Sequence, residues 1–352
     1  MEKENLSILE LIPNPGFCVR NNRIIKTNLE AKNLSLAEGE EIAPHLCTGQ
    51  EEYAAFTGGC LTLSLRVGNA VREATVTRMG DMDVFLVEAQ TEPGELRTLA
   101  LAARELRGPL SVVSMGISRL TAGELRPEDR EAAAEIERGL YRLLRLIGNM
   151  SDAAHGVPVP RMEMRDVNAL FREVVGKAGR LAELVGVKVT YEGLEHPVNT
   201  LSDDQGLERA ALNMLSNALK YTPAGGEIRA SLSRRGRILC FRVTDSGPGI
   251  PENVLPELFR RYLRQPAIED ERNGMGLGMV LIRAVAAAHG GTVLVDQPEE
   301  SGTRVTLTIA IRQGGDAMLR SNILRVDYAG EHDHTMLELS DVLPLSPFEI
   351  ET

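Results

Sequence analysis

The stretch NMLSNALKYT, residues 213–222, is the first of three segments that decide the fold class of this chain. Asn213 and Asn217 are four residues apart, so a helix projects both side chains from one face. Amide oxygens suit Mg²⁺, which prefers hard oxygen ligands beside phosphate, and Lys220 adds a positive charge for phosphate. Taken alone, the two asparagines would be read as ordinary surface or capping residues.

The second segment is VTDSGPGIP, residues 243–251, at the end of an apolar run that predicts a strand. A carboxylate at a strand end, here Asp245, can accept a hydrogen bond from an exocyclic amine. Gly247 and Gly249 allow the backbone to approach a ring closely. Taken alone, this segment would be an ordinary Gly-Pro turn.

The third segment is GMGLG, residues 274–278, where Gly274, Gly276 and Gly278 open a predicted helix. Glycines at a helix N-terminus expose backbone N–H groups to phosphate. The dinucleotide fingerprint GxGxxG is not met, because residue 279 is Met and no strand precedes the glycines. An oxidoreductase is therefore disfavoured.

In this order the three segments resemble the N, G1 and G2 boxes of the GHKL ATP-binding domain of histidine kinases, gyrase-type topoisomerases and heat-shock ATPases. Residues 258–264 (LFRRYLR) resemble the F box of the kinase ATP lid. The resemblance implies ATP and Mg²⁺ as cofactors, with Asp245 holding the adenine amine and Asn217 the metal. It also implies support of the phosphate end by Asn213 and Lys220, packing of Tyr221 near the base, and contact of Arg264 with the γ-phosphate.

Upstream, residues 91–156 have helical periodicity and a break near residues 121–127. The second helix carries apolar residues at alternating four- and three-residue spacings, which is a heptad seam: Ile136, Leu140, Leu143, Ile147 and Met150. A two-helix hairpin buries little by itself, so the pattern predicts a homodimer with a four-helix bundle.

Residues 104–110 (RELRGPL) resemble the H box of histidine kinases, whose common form is His-Glu-Leu-Arg-Thr-Pro-Leu. Arg104 stands at the position of the phosphate-accepting histidine, and it has no free lone pair with which to attack phosphate. Glu105 keeps the position of the family's base. Gly108 replaces the residue that positions water for dephosphorylation of a response regulator. None of the six histidines lies on the first hairpin helix.

Residues 1–90 mix short apolar runs with turns, including a hairpin predicted around Asn21-Asn22 and strands at 74–77 and 84–87 around Gly80-Asp81. The stretch from Ile12 resembles the opening of a PAS domain, a small sensor fold. An unrelated α/β module is the alternative.

The net charge of −11 disfavours nucleic-acid binding, which needs a basic surface. No apolar run reaches the roughly 20 residues of a membrane span, and four scattered cysteines fit a reducing cytoplasm. Seven acids follow Arg325, so residues 313–352 are predicted to be an acidic tail. In it, His332 and His334 resemble a metal site, but a solvated tail is the favoured interpretation.

The predicted fold class is α+β: a PAS-like sensor (1–90), a dimerisation hairpin (91–156), a GHKL α/β sandwich (157–312) and the tail (313–352). The predicted function is that of a cytoplasmic, ATP-binding sensor histidine kinase family protein that cannot autophosphorylate at the usual site. Two alternatives remain open: a GHKL kinase acting on a separate protein, and a nucleotide-gated scaffold without catalysis. A response regulator or a partner kinase is the expected partner.

Overall fold

The computed structural model describes residues 9–12, 14–88, 93–123, 126–155, 160–251, 254–255, 258–259, 278–298, 302–312 and 332–349. The strands in this part of the chain are β1 (Gly16–Arg20), β2 (Arg23–Thr27), β3 (Cys60–Val67), β4 (Ala70–Met79), β5 (Met82–Val87), β6 (Glu163–Asp166), β7 (Lys188–Glu192), β8 (Asn199–Ser202), β9 (Glu227–Arg235), β10 (Ile238–Asp245), β11 (Val293–Asp296) and β12 (Arg304–Ala310). The helices are α1 (Leu29–Asn33), α2 (Gln50–Ala54), α3 (Pro93–Leu120), α4 (Pro127–His155), α5 (Val167–Ala182), α6 (Asp204–Tyr221), α7 (Gly278–Ala288) and α8 (His334–Leu339).

The N-terminal domain is an antiparallel sheet in the order β2-β1-β5-β4-β3. The predicted hairpin turn is confirmed: Asn21 and Asn22 have φ angles of 50° and 63°, which asparagine tolerates better than most residues. The predicted turn at Gly80 between β4 and β5 is also confirmed. Phe17 stacks on Phe85 with ring centroids 4.7 Å apart, which joins β1 to β5 in the core.

The predicted pair of long helices is present as α3 and α4, which pack against each other. The apolar seam of α4 divides between two environments. Leu140 and Ile147 are buried within the chain, whereas Ile136 and Leu143 remain 52% and 48% exposed. Two of the five seam residues are therefore buried within the chain, and two remain exposed for another contact.

The second domain is a sheet in the order β11-β12-β10-β9-β7, in which only β7 and β9 pair in parallel. Helices α5, α6 and α7 pack on this sheet and on one another. Phe171 of α5 stacks on Phe241 of β10 with centroids 4.0 Å apart. Asp166 caps α5 by accepting the backbone N–H of Asn168. The mixed α+β fold class is confirmed.

The two sheets are continuous, because β3 of the N-terminal domain pairs antiparallel with β11 of the second domain. The Thr62 hydroxyl accepts the N–H of Val293 at 2.9 Å and donates to its carbonyl at 3.3 Å. Arg283, buried on α7, forms an ion pair with Glu88 beyond β5. The sequence did not indicate this junction.

The prediction of a solvated C-terminal tail is wrong for residues 332–349. Asp333 caps α8 by accepting the N–H of Met336. Leu337, Glu338 and Leu339 are fully buried. Apolar side chains in this segment offset the cost of ordering it, which the count of acidic residues did not reveal.

The junction between the sheets can be tested at Gly59, which has a φ of +88° and lies just before β3. A Cβ atom added there would lie 2.2 Å from the carbonyl oxygen of Val295. Gly68 has a φ of +60° but no heavy atom within 4 Å of such a Cβ, so it is the matched control.

We expect Gly68→Ala to lower the free energy of unfolding by about 1–2 kcal/mol, which is the strain of an alanine in the left-handed conformation. Gly59→Ala adds overpacking worth about 1–3 kcal/mol more. Urea denaturation of both variants measures the difference. Equal losses would contradict a close approach of β3 to β11.

Candidate functional site

The first motif lies on α6, as predicted, and its two asparagines occupy different environments. Asn213 is 1% exposed and donates from Nδ2 to the Arg209 carbonyl at 2.9 Å and to Glu338 Oε2 at 3.2 Å. Asn217 is half-buried, with Nδ2 at 3.6 Å from the Met279 sulfur. Both side chains therefore face the beginning of α7.

Lys220 and Tyr221 end the same helix. The Lys220 ammonium lies 5.5 Å from the centroid of the Tyr221 ring, and the tyrosine is about half exposed. The cation and the ring therefore share the C-terminal end of α6.

Asp245 ends β10 and is 8% exposed. Its Oδ1 accepts the backbone N–H of Gly247 at 2.8 Å and that of Thr303 at 3.2 Å. Burial raises the pKa of this carboxyl above its ordinary value, and the two backbone donors oppose that shift. These bonds fix the carboxylate at the edge of the sheet, where the chain turns into the glycine-rich loop.

Two glycines of that loop are required by close approaches. A Cβ added to Gly247 would lie 2.7 Å from the Tyr221 carbonyl oxygen, so the loop rests on the end of α6. Gly249 has a φ of +81°, a conformation that favours glycine, and its added Cβ would lie 3.3 Å from the Gly302 carbonyl.

Gly278 begins α7, and a Cβ added there would lie 2.8 Å from Asn213 Oδ1. The third motif therefore meets the first, just as Gly247 meets the end of α6. Buried His289, after the other end of α7, accepts the Asp203 N–H at 3.0 Å and so also holds the start of α6. Burial lowers the pKa of this histidine, which keeps its ring neutral and able to accept.

Several predicted residues lie outside the described part of the chain: Arg264, Gly274 and Gly276. Of the segment that resembles the F box, only Leu258 and Phe259 are described, and Phe259 is buried in the core of the second domain. The roles predicted for Arg264 and the first two glycines stay predictions.

Arg104 and Glu105 lie on the exposed surface of α3, in the helical hairpin. They therefore lie on a different helix from the three motifs, which belong to the second domain. Pro109 lies within α3, which continues beyond it to Leu120.

Sequence reasoning missed three contributors to this site. Gly302, with a φ of +93°, and Thr303 bring the start of β12 against Asp245. Glu338 reaches Asn213 from α8. The glycine at 302 was a usable turn signal, but nothing local marks Glu338, because its partners lie more than 100 residues away.

Among the described residues, no group of three or more His, Cys, Asp or Glu side chains is arranged to hold a metal ion. Neither His332 nor His334 belongs to such a group. Within the same residues, the helices lack the combination of length and hydropathy that crossing a membrane requires.

Known proteins are similar to this chain in sequence and in fold. Residues 202–313 match the family described as histidine kinase-, DNA gyrase B-, and HSP90-like ATPase. The chain is 31% identical over 254 residues to the histidine protein kinase DivJ of Caulobacter vibrioides, covering 68% of this chain and 42% of that relative. It is 31% identical over 262 residues to the sensor protein KdpD of Escherichia coli, covering 70% of this chain and 28% of that relative.

The structure of full-length ShkA in complex with AMPPNP shares the fold, with a TM-score of 0.52 at 24% identity over 64% of this chain and 47% of that one. Fold and motifs thus define an ATPase domain of the histidine kinase, gyrase and HSP90 class. Through this domain the chain belongs to the sensor histidine kinase family. It spans less than half the length of each of these relatives.

Proposed function

We propose that this chain binds ATP with Mg²⁺ at the place where its three motifs meet. The observation that carries the proposal is the pair of close approaches, of Gly247 to the Tyr221 carbonyl and of Gly278 to the Asn213 amide. Segments far apart in sequence thereby form one wall with a buried carboxylate, amides and exposed backbone. Helix N-termini bind phosphate, and a few convergent polar groups orient a ligand, so this wall supports nucleotide binding.

The proposed roles of the residues are those that the resemblance to the GHKL ATP-binding domain implies. Asp245 accepts the adenine amine, and Gly247 and Gly249 leave room for the ring beside Tyr221. Asn213 and Lys220 bind the phosphate end together with Arg264 and the glycines that precede α7. Asn217 supplies an amide oxygen to Mg²⁺, which neutralises phosphate charge when bound.

The same chain does not autophosphorylate at the family's position. The guanidinium group of Arg104 offers no lone pair to the γ-phosphate. The neighbouring Glu105 has no ring to deprotonate. The chain is therefore a degenerate kinase at this site, and nucleotide binding is its retained property.

The proposal includes a PAS-like sensor in the N-terminal domain. The hairpin that carried the resemblance opens a five-stranded antiparallel sheet with α1 and α2 beside it, which supports the assignment. Hydrogen exchange that finds residues 16–27 and 60–87 unprotected would contradict it.

A kinase that phosphorylates a separate protein, such as a response regulator or another kinase, is the second candidate. The placement of Asn217 and Lys220 on the site side of α6 favours retained phosphate handling. Incubation with γ-labelled ATP and candidate partners distinguishes this function from a pure scaffold, since only a kinase transfers label to the partner.

The adenine assignment is tested by Asp245→Asn. Asparagine keeps one oxygen for the N–H groups of Gly247 and Thr303, but it replaces the other oxygen by a donor that faces the adenine amine. We expect a loss on the order of 1–3 kcal/mol in binding, or about tenfold to a hundredfold in Kd. Calorimetry with ATP and Mg²⁺ measures it, with Asp81→Asn in the exposed β4–β5 turn as control. Equal affinity of Asp245→Asn and wild type would refute the assignment.

The missing nucleophile is tested by Arg104→His, which places a ring nitrogen next to Glu105. Wild type should carry no acid-labile, base-stable label after incubation with labelled ATP, and Arg104→His should regain some. A misplacement of about 1 Å can cost about a hundredfold, so slow labelling is expected. Arg107→His is the matched control on the same helix and should remain unlabelled.

Base-stable label on the wild-type chain would mean another acceptor and would overturn the degenerate-kinase proposal. Absence of label on Arg104→His, despite measured ATP binding, favours the scaffold.

Dimerisation through the hairpin is supported by exposed apolar residues seven positions apart, so that each pair lies on one helix face: Leu106 and Val113 of α3, and Ile136 and Leu143 of α4. We expect Leu143→Glu to give monomers, because a charge buried without a partner is costly. Val71→Glu, on an equally exposed site of β4, should leave the dimer intact. Light scattering at micromolar concentration measures both. A monomeric wild type would exclude this dimer.

A further inference from the structure

The C-terminal segment, residues 332–349, lies outside the part of the chain that matches the ATPase family and contacts both the hairpin and the second domain. Its Leu339, Leu343 and Phe348 belong to the same buried core as α5, α6 and α7. Phe348 also packs edge-on against Tyr141 of α4, with ring centroids 5.4 Å apart. The segment therefore fills the space between two parts of the protein.

A buried ion cluster lies at the centre of this contact. Glu338 is 0% exposed, and each of its oxygens meets one arginine: Arg145 of α4 at 3.0 Å and Arg209 of α6 at 3.0 Å. Arg145 also binds Asp341 at 2.6 Å. The carboxylate of Glu338 thus joins one guanidinium group from the hairpin to one from the second domain.

The same carboxylate reaches the candidate nucleotide site. Glu338 Oε2 accepts from Asn213 Nδ2 at 3.2 Å, and Asn213 Oδ1 faces the start of α7. Asn213 is therefore held by the C-terminal segment on one side and by the third motif on the other. If the Asn213 side chain binds phosphate, its hydrogen bond to Glu338 must change.

We propose that residues 332–349 form an intramolecular clamp that fastens the second domain to the hairpin and restrains the nucleotide site through Glu338 and Asn213. The clamp is a regulatory element of that site, and this inference rests on the proposed ATP binding. Fastening of the domains and restraint of the site are coupled, because Glu338 both pairs with the two arginines and accepts the hydrogen bond of the Asn213 amide.

Charge sets the direction of the effect. Neutralising Glu338 removes the carboxylate that Arg145 and Arg209 share, and breaking one member of a buried ion cluster is strongly unfavourable. The segment should then leave its groove. The Asn213 amide becomes available to phosphate and a negative charge leaves its vicinity, so ATP should bind more tightly when the clamp is open.

The test compares Glu338→Gln with Glu349→Gln in the full chain. Both make the same chemical change in the same segment, but Glu349 is exposed. Hydrogen exchange of the α8 amides reports release of the clamp, and calorimetry with ATP and Mg²⁺ reports affinity. We expect Glu338→Gln to exchange faster and to bind about threefold to tenfold more tightly, the worth of roughly one hydrogen bond. Glu349→Gln should behave as wild type.

A second variant covers the case in which Glu338→Gln does not fold. Arg142 is partly exposed and donates to the carbonyls of Ser340 and Asp341 at the end of α8. Arg142→Ala should loosen the segment mildly and raise affinity by a smaller factor. Binding linkage gives a test without mutation: saturating ATP and Mg²⁺ should accelerate exchange in α8 of the wild type.

Released α8 with unchanged or weaker ATP binding would overturn the regulatory role, and unchanged protection of α8 in both Glu338→Gln and Arg142→Ala would overturn the clamp. Absence of ATP binding in every variant and in wild type would instead refute the proposed function, and the regulatory role with it. Asp245→Asn separates these failures, because it alters adenine binding without touching the segment.

Discussion

The buried carboxylate of Glu338 is the constraint that organises this protein. A charged group with no exposed surface is tolerated only when ion pairs and hydrogen bonds replace its lost hydration. Here the replacement comes from Arg145 of the hairpin, Arg209 of α6 and the Asn213 amide. Because these three partners belong to different parts of the chain, satisfying one carboxylate fixes the hairpin, the second domain and the C-terminal segment relative to one another.

A second physical connection runs through the continuous sheet. The N-terminal domain meets the second domain at β3 and β11, and β11 pairs with β12, which pairs with β10. Asp245 stands at the end of β10, and the Thr303 N–H that holds its carboxylate lies directly before β12. Two strands therefore separate the N-terminal domain from the strand that ends at Asp245. A continuous hydrogen-bonded ladder therefore connects the N-terminal domain to the strand that ends at this carboxylate.

The sequence predicted the parts that depend on local chemistry. The Asn21-Asn22 turn, the turn at Gly80 and the helical spacing of Asn213 and Asn217 each follow from a preference that acts within a few residues. Pairing of β3 with β11 is different, because two sheet edges meet across more than 200 residues and no residue of either strand encodes its partner. Glu338 was misread for the same reason: its charge indicates solvent unless the distant arginines are known. The neighbouring Leu337, Leu339, Leu343 and Phe348 were the available signal that the segment is buried.

The proposed loss of the phosphate-accepting histidine would change what nucleotide binding can accomplish. Under that proposal, the binding energy of ATP acts on the conformation of the chain, or the γ-phosphate passes to a separate protein. The proposed clamp gives that energy a definite target, because ligand and clamp compete for Asn213 and linkage makes their opposition reciprocal. The hairpin would then respond through Arg145, which loses its ion pairs with Glu338 and Asp341 when the segment leaves. In this scheme a nucleotide-dependent change in the hairpin requires no phosphotransfer. The ATP motifs then keep a role in a chain that carries Arg104 at the position of the phosphate-accepting histidine.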